Sequence, residues 1–125
     1  MSRVGRIIFW WVAVFFWFMV IYYFSSQPSL KSDFQPFWDL ILRKIAHMAE
    51  FFVLAYLFFN AYRSLGLKVG RSLLLAFIFS LVYAFFDEWH QDQVLGRTKS
   101  IIDVVIDGLG ISVFIFLKLI QKSKN

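Results

Sequence analysis

From Ile7 to Phe24 the chain runs for 18 residues without a charge. A helix of that length covers about 27 Å at 1.5 Å per residue, close to the roughly 30 Å hydrocarbon core of a bilayer. This run decides the solvent in which the chain folds. Of the 125 residues, 60% are hydrophobic and only 17% charged, whereas soluble domains average about 45–50% apolar and about 25% charged. A globule this small leaves much of its surface wet and has no room inside for 17 Phe, 5 Trp and 5 Tyr. Lipid is therefore the expected surrounding for much of the chain. The same aromatic richness excludes intrinsic disorder. The absence of Cys excludes disulfides, thiolate chemistry and cysteine zinc sites, and leaves His, Asp and Glu as the available metal ligands.

Three further apolar runs follow. Ile45 to Tyr62 is interrupted only by His47, Glu50 and Asn60; Leu73 to Phe86 stops at Asp87-Glu88; Val104 to Leu117 contains Asp107. The last two are short, about 21 Å as helix, and span a bilayer only if they extend into their flanking acids. The expected fold is all-α, an integral membrane four-helix bundle forming a single domain over residues 1–125, with helices at about 6–25, 43–62, 72–91 and 101–120. Arg3 and Arg6 before the first run also suit a secretory signal. Its exit, Tyr22-Tyr23-Phe24-Ser25-Ser26-Gln27-Pro28, lacks the small-x-small cleavage pattern, so an uncleaved first helix is expected.

Charge sets the orientation. Arg3, Arg6, Arg63, Lys68, Arg71, Lys118, Lys122 and Lys124 fall on one side with no acid among them, while all eight acids fall on the other with Lys31, Arg43, Lys44, Arg97 and Lys99. The positive side is cytoplasmic by the usual rule, which places both termini inside the cell. Topology thus accounts for the pI of about 9.7, and no phosphate-tracking stripe marks a nucleic-acid partner. On the outer side Phe34, Phe37, Trp38 and Ile41 recur at helical spacing behind Pro36, predicting a short interfacial helix between helices 1 and 2. A helix that simply caps the bundle fits the same pattern. Residues 63–72, with Gly66 and Gly70, read as a tight inner connection.

The outer side also gathers the polar residues. Arg43, His47 and Glu50 share one face of helix 2 at steps of four and three, and Asp87, Glu88 and Gln91 lie together at the end of helix 3. Asp103, Asp107 and Gly110 form one ridge of helix 4, and Gly108 with Ser112 adds a small-xxx-small step suited to a close crossing. Charged groups cost roughly 2.5–3.5 kcal/mol each at the centre of a membrane helix, so such groups face a bundle interior or a watery cavity. The expected site is an outward-open cavity lined by His47, Glu50, Asp87, Glu88, Gln91, Asp103 and Asp107 with Arg97 in the lid. It suits an anionic head group, a divalent cation, or both. The opposing reading is a strut: Arg43, Lys44, Arg97 and Lys99 neutralise the acids and pin the outer helix ends together. His90 is expected beyond helix 3 in solvent, and Asn60 in an interhelical hydrogen bond.

No catalytic triad, phosphate loop, dinucleotide fingerprint or HExxH motif occurs. Ser25 or Ser26 as a nucleophile needs a base, and His47, Glu50 and Glu88 are the candidates for acid or base work. Four function classes stay open: a binding protein, a membrane enzyme acting on a lipid phosphate or lipid-linked glycan, a structural membrane protein, and a small carrier. The inner halves of the helices offer only Asn60 and small residues as a polar path, which ranks the carrier last.

A dispersed signature resembles the VanZ-like family: Phe24-Ser25-Ser26-Gln27-Pro28, Lys44-x-x-His47-x-x-Glu50, Asp87-Glu88-x-x-Gln91 with Gly96-Arg97 and Ser100, and Asp103-x-x-x-Asp107-x-x-Gly110. It extends from residue 24 to 110. Phe51 stands where relatives often carry Tyr, and Asp107 where they often carry Asn, which makes the site here more acidic. The resemblance implies a small multi-pass protein of the bacterial plasma membrane. It extends the candidate ligand-binding set to Ser25, Ser26 and Gln27 beside His47, Glu50, Asp87, Glu88, Gln91, Arg97, Asp103 and Asp107. The family's founding member is associated with low-level resistance to teicoplanin, a lipid-tailed glycopeptide, so the implied partner is a membrane lipid or a lipid-linked envelope precursor.

Overall fold

The computed structural model describes residues 1–25, 36–92 and 101–124, with side chains for all of these except 36–40, 91 and 92. The described residues form α1 (Arg3–Ser25), α2 (Pro36–Ser64), α3 (Val69–Asp92) and α4 (Ile101–Lys124). The third and fourth apolar runs do continue as helix through their acids, so Asp87, Glu88, Asp103 and Asp107 are all helical. Pro36 takes the first helical position of α2, where its missing N–H costs nothing. The expectation of a separate short interfacial helix is not met there. No break separates Pro36 from the apolar run, because nothing after Pro36 interrupts the helical hydrogen bonding and the amphipathic turns extend α2 at its N-terminal end. Phe34 lies outside the described residues.

The α2–α3 connection is as tight as expected. Leu65 N and Gly66 N donate to Tyr62 O and Arg63 O at 3.1 and 3.0 Å, narrowing the last turn of α2. Gly66 then adopts φ +93°, a left-handed exit that a side chain resists. The Arg63 guanidinium reaches Leu67 O at 2.7 Å, and Ser72 N donates to Lys68 O at 2.9 Å to open α3.

Ring contacts fix the packing. α2 runs against α1 and α3 in opposite directions, through Trp17 to Glu50 and Trp11 to Phe58 on one side, and Phe51 to Tyr83 and Phe58 to Phe79 on the other. α4 lies parallel to α2: Lys44 meets Asp103, His47 meets Asp107, and Phe52 meets Phe114. Among the described residues α1 and α4 do not meet. The bundle is two three-helix groups, α1–α2–α3 and α2–α3–α4, sharing the α2–α3 pair.

Gly110 makes the second group possible. A Cβ there would strike the Met48 carbonyl oxygen, with the carbonyl carbon at 3.0 Å and Cα at 3.2 Å. Backbone meets backbone, the close approach that small residues permit between membrane helices. The crossing lies on the Asp103–Asp107–Gly110 ridge. The Gly108 step does not make it, since a Cβ on Gly108 would meet only Leu81 Cδ1 at 4.0 Å, an ordinary contact.

α1 and α3 are long and apolar enough to cross a membrane. Their outer faces are bare: Phe15 is 66% and Phe85 60% exposed, and Phe9, Phe16, Met19 and Val82 are exposed with them. Charge separates along the bundle. The Arg3 guanidinium lies 3.7 Å from where a Gly66 Cβ would stand and Lys122 Nζ 3.9 Å from that of Gly70, so the basic start of α1, the α2–α3 turn and the end of α4 share one end. The described carboxylates occupy the other. Asn60 makes no interhelical bond here; its Nδ2 donates to Tyr56 O at 2.8 Å within α2, the nearest carbonyl one turn back.

Candidate functional site

The site is assembled from α2, α3 and α4. His47 sits one helical turn before Phe51 on the face of α2 that meets both other helices. Its Nδ1 lies 3.2 Å from Asp107 Oδ1 on α4 and 4.0 Å from Asp87 Oδ2 on α3. Asp107 is 1% exposed, Asp87 and Glu88 2% each. Asp107 takes this position because Gly110, three residues on, draws α4 against α2. Asp87 arrives from the opposite direction because the antiparallel α2–α3 pair sets residue 87 beside 47 and residue 83 beside 51. The His47 ring lies nearly parallel to Phe51, at 15° and 6.4 Å between centroids, and Phe51 is fully buried.

The remaining expected residues divide. Glu50 is half-buried with its Oε2 enclosed, and its backbone carbonyl accepts the Trp17 indole N–H at 2.8 Å. Glu88 Oε2 is likewise enclosed, and Ser25 is fully buried at the end of α1. Asp103 stands nearer the surface and binds Lys44 Nζ at 3.1 Å, with side-chain exposures of 29% and 35%. That pair is a strut between α2 and α4, as the opposing reading expects. Gln91 is helical but its side chain is outside the described residues, as are Ser26, Gln27 and Arg97.

Two aromatic tips complete the surroundings and were not singled out from the sequence. Tyr83 donates its hydroxyl to Phe18 O at 2.8 Å and stacks on Phe18 at 4.4 Å, while Trp17 holds α1 to α2 through Glu50. Their signal was an aromatic with a polar tip one or two turns from the buried acids, lost among so many other aromatics. His90 corrects an expectation: it lies inside α3, half-buried, stacked on Tyr22 at 4.3 Å and 20°. α3 runs past it to Asp92, so the ring is held beside α1 rather than released to solvent.

A carboxylate on one imidazole nitrogen fixes the ring's tautomer and orientation. Nδ1 of His47 and one oxygen each of Asp87 and Asp107 lie within 4.8 Å of one another, a set able to hold a metal ion. The sequence model of the VanZ/LLP1 family matches residues 9–121. The chain belongs to the VanZ-like family. The match takes in every member of the buried cluster of this VanZ-like protein, and with two apolar helices it marks a membrane protein. No curated protein and no solved structure matches the chain.

Proposed function

We propose that this VanZ-like protein crosses the bacterial plasma membrane four times with both termini in the cytoplasm, and that its outer cluster binds the head group of an envelope lipid or a lipid-anchored molecule. The observation that carries the reading is the gathering of Asp87 and Asp107, almost wholly enclosed, around His47, with the enclosed Glu88 next to Asp87 in the chain, at the end of the bundle opposite the α2–α3 turn. Scaffolding alone is better served by partly exposed pairs such as Lys44–Asp103, because enclosing charged groups costs several kcal/mol of desolvation per ion. A site at head-group depth meets lipid phosphates and the membrane-bound targets of glycopeptides. Protection against teicoplanin, with its lipid tail, is the expected phenotype.

A second reading is favoured by the His47–Asp107 contact of 3.2 Å. An imidazole oriented by a carboxylate is a general base, and His47 would then take a proton from water or a hydroxyl attacking a lipid phosphate or lipid-linked glycan, with Glu50 or Glu88 as the acid.

The test is susceptibility to teicoplanin and vancomycin in a sensitive bacterial host expressing wild type or Glu88→Gln at matched membrane levels. Wild type is expected to protect selectively against teicoplanin and the isosteric variant to lose that protection. Equal protection by both would reduce the enclosed acids to scaffolding, and no protection by wild type would remove the resistance role in that host.

A further inference from the structure

The composition of the enclosed cluster goes further than a head-group site, and the inference rests on reading the cluster as a binding site. Glu50, Asp87, Glu88 and Asp107 bring four carboxylates to the end of the bundle where His47 stands, and His47 meets two of them, Asp87 and Asp107. In a low-dielectric interior enclosed carboxylates are held by cations or by protons.

The geometry favours a metal over protons alone. Three ligand atoms of two kinds converge from three helices: an imidazole nitrogen and two carboxylate oxygens, with Nδ1 to oxygen distances of 3.2 and 4.0 Å and all three within 4.8 Å. Around an ion with bonds of about 2.0–2.2 Å, neighbouring ligand atoms stand roughly 3.0–3.5 Å apart. The shorter spacing already fits, and small side-chain rotations bring in the third atom. All three ligands stand on helices, and the buried Phe51 ring lies nearly parallel to that of His47 one turn on. One nitrogen with two carboxylates suits a first-row divalent ion such as Zn²⁺ or Mn²⁺ rather than Ca²⁺, which prefers oxygen alone. Three protein ligands leave at least one position open, where a phosphate or carboxylate oxygen of a head group binds.

We propose that His47 Nδ1, Asp87 and Asp107 hold a first-row divalent metal ion that bridges the VanZ-like protein to an anionic head group. The experiment uses the full chain without a histidine tag, purified in detergent, stripped with a chelator and titrated with Zn²⁺ by calorimetry. One ion per chain is expected for wild type. His47→Gln and Asp107→Asn should each weaken uptake about a hundredfold, whereas Asn60→Ala, at the basic end, leaves it unchanged. Wild type taking up no stoichiometric ion would overturn the proposal; so would undiminished binding by both variants when circular dichroism and gel filtration show them folded. If neither variant folds, pulsed electron paramagnetic resonance of Mn²⁺-loaded wild type decides, a histidine-nitrogen coupling supporting the site and its absence rejecting it. Retention of phosphatidylglycerol, measured with and without Zn²⁺, separates this inference from the broader one. Lipid retained identically without metal overturns the bridge and leaves head-group binding standing. Metal bound with no lipid retained also overturns the bridge, and takes head-group binding with it.

Discussion

The two three-helix groups solve the same packing problem in opposite ways. In α1–α2–α3 the helices are held apart by rings: Trp11 packs edge-on to Phe58 and Tyr62, Phe18 stacks on Tyr83, and Phe79 fills between Phe58 and Tyr62. In α2–α3–α4 the outer end closes on a glycine, backbone against backbone, and encloses carboxylates and an imidazole. An aromatic interface spreads its energy over many contacts of about 0.5–1.5 kcal/mol each. A glycine crossing concentrates it at one point. The aromatic group has room to adjust its rings, while the glycine group is exacting because backbone packs on backbone.

The largest break in this contrast comes from Gly110→Val. The obstacle is Met48 backbone, which cannot rotate away, so a loss of about 3 kcal/mol or more is expected, with lowered thermal stability in detergent and dispersal of the cluster. Gly108→Ala, facing only Leu81, should stay within about 0.5 kcal/mol. Equal damage from both would mean that α4 packs on its other ridge.

Next comes His47→Leu, which removes the imidazole from two buried aspartates. Leaving a buried charge uncompensated costs about 3–5 kcal/mol, so denaturant unfolding should show a loss near the lower figure. His47→Leu with Asp107→Leu should recover part of it, as apolar replacement of both partners does. A double variant no better than the single one would show that His47 and Asp107 are not energetically coupled.

Tyr83→Phe sharpens the contrast from the aromatic side. It deletes one hydrogen bond, to Phe18 O, and keeps the ring stack, so about 1 kcal/mol is expected, with teicoplanin protection unchanged. A loss of protection as large as that from Glu88→Gln would erase the functional distinction between the two groups.

Much of this division is readable in the chain. The 3.6-residue spacing of Asp103, Asp107 and Gly110 and the step from His47 to Glu50 place the polar faces correctly, because helix periodicity is local. Continuation of α3 through Asp87-Glu88 also follows from local physics, since too few apolar residues precede the acids to cross a bilayer. The choice between Gly108 and Gly110 does not follow, because the small-xxx-small step with Ser112 favours Gly108 and only the neighbour's backbone decides for Gly110. Nor does the split of the acids into the Lys44–Asp103 strut and the His47 cluster, which depends on how far each residue sits from the helix end once α2 and α4 run parallel. His90 and Asn60 fail for a related reason: each finds its partner close by, on the ring of Tyr22 or one turn back in α2, where the spacing alone suggests solvent or a distant helix.

The parallel pairing of α2 with α4 also bears on how the protein is made. His47 and Asp107 are 60 residues apart, and ribosomes add about 5–20 residues per second. The exacting face of α2 therefore waits roughly 3–12 s for the helix that closes it. During that interval α1, already synthesised, can dock its rings on the opposite face of α2. The order of synthesis thus builds the tolerant interface first and leaves the polar one open to whatever insertion machinery shelters it until the last helix emerges.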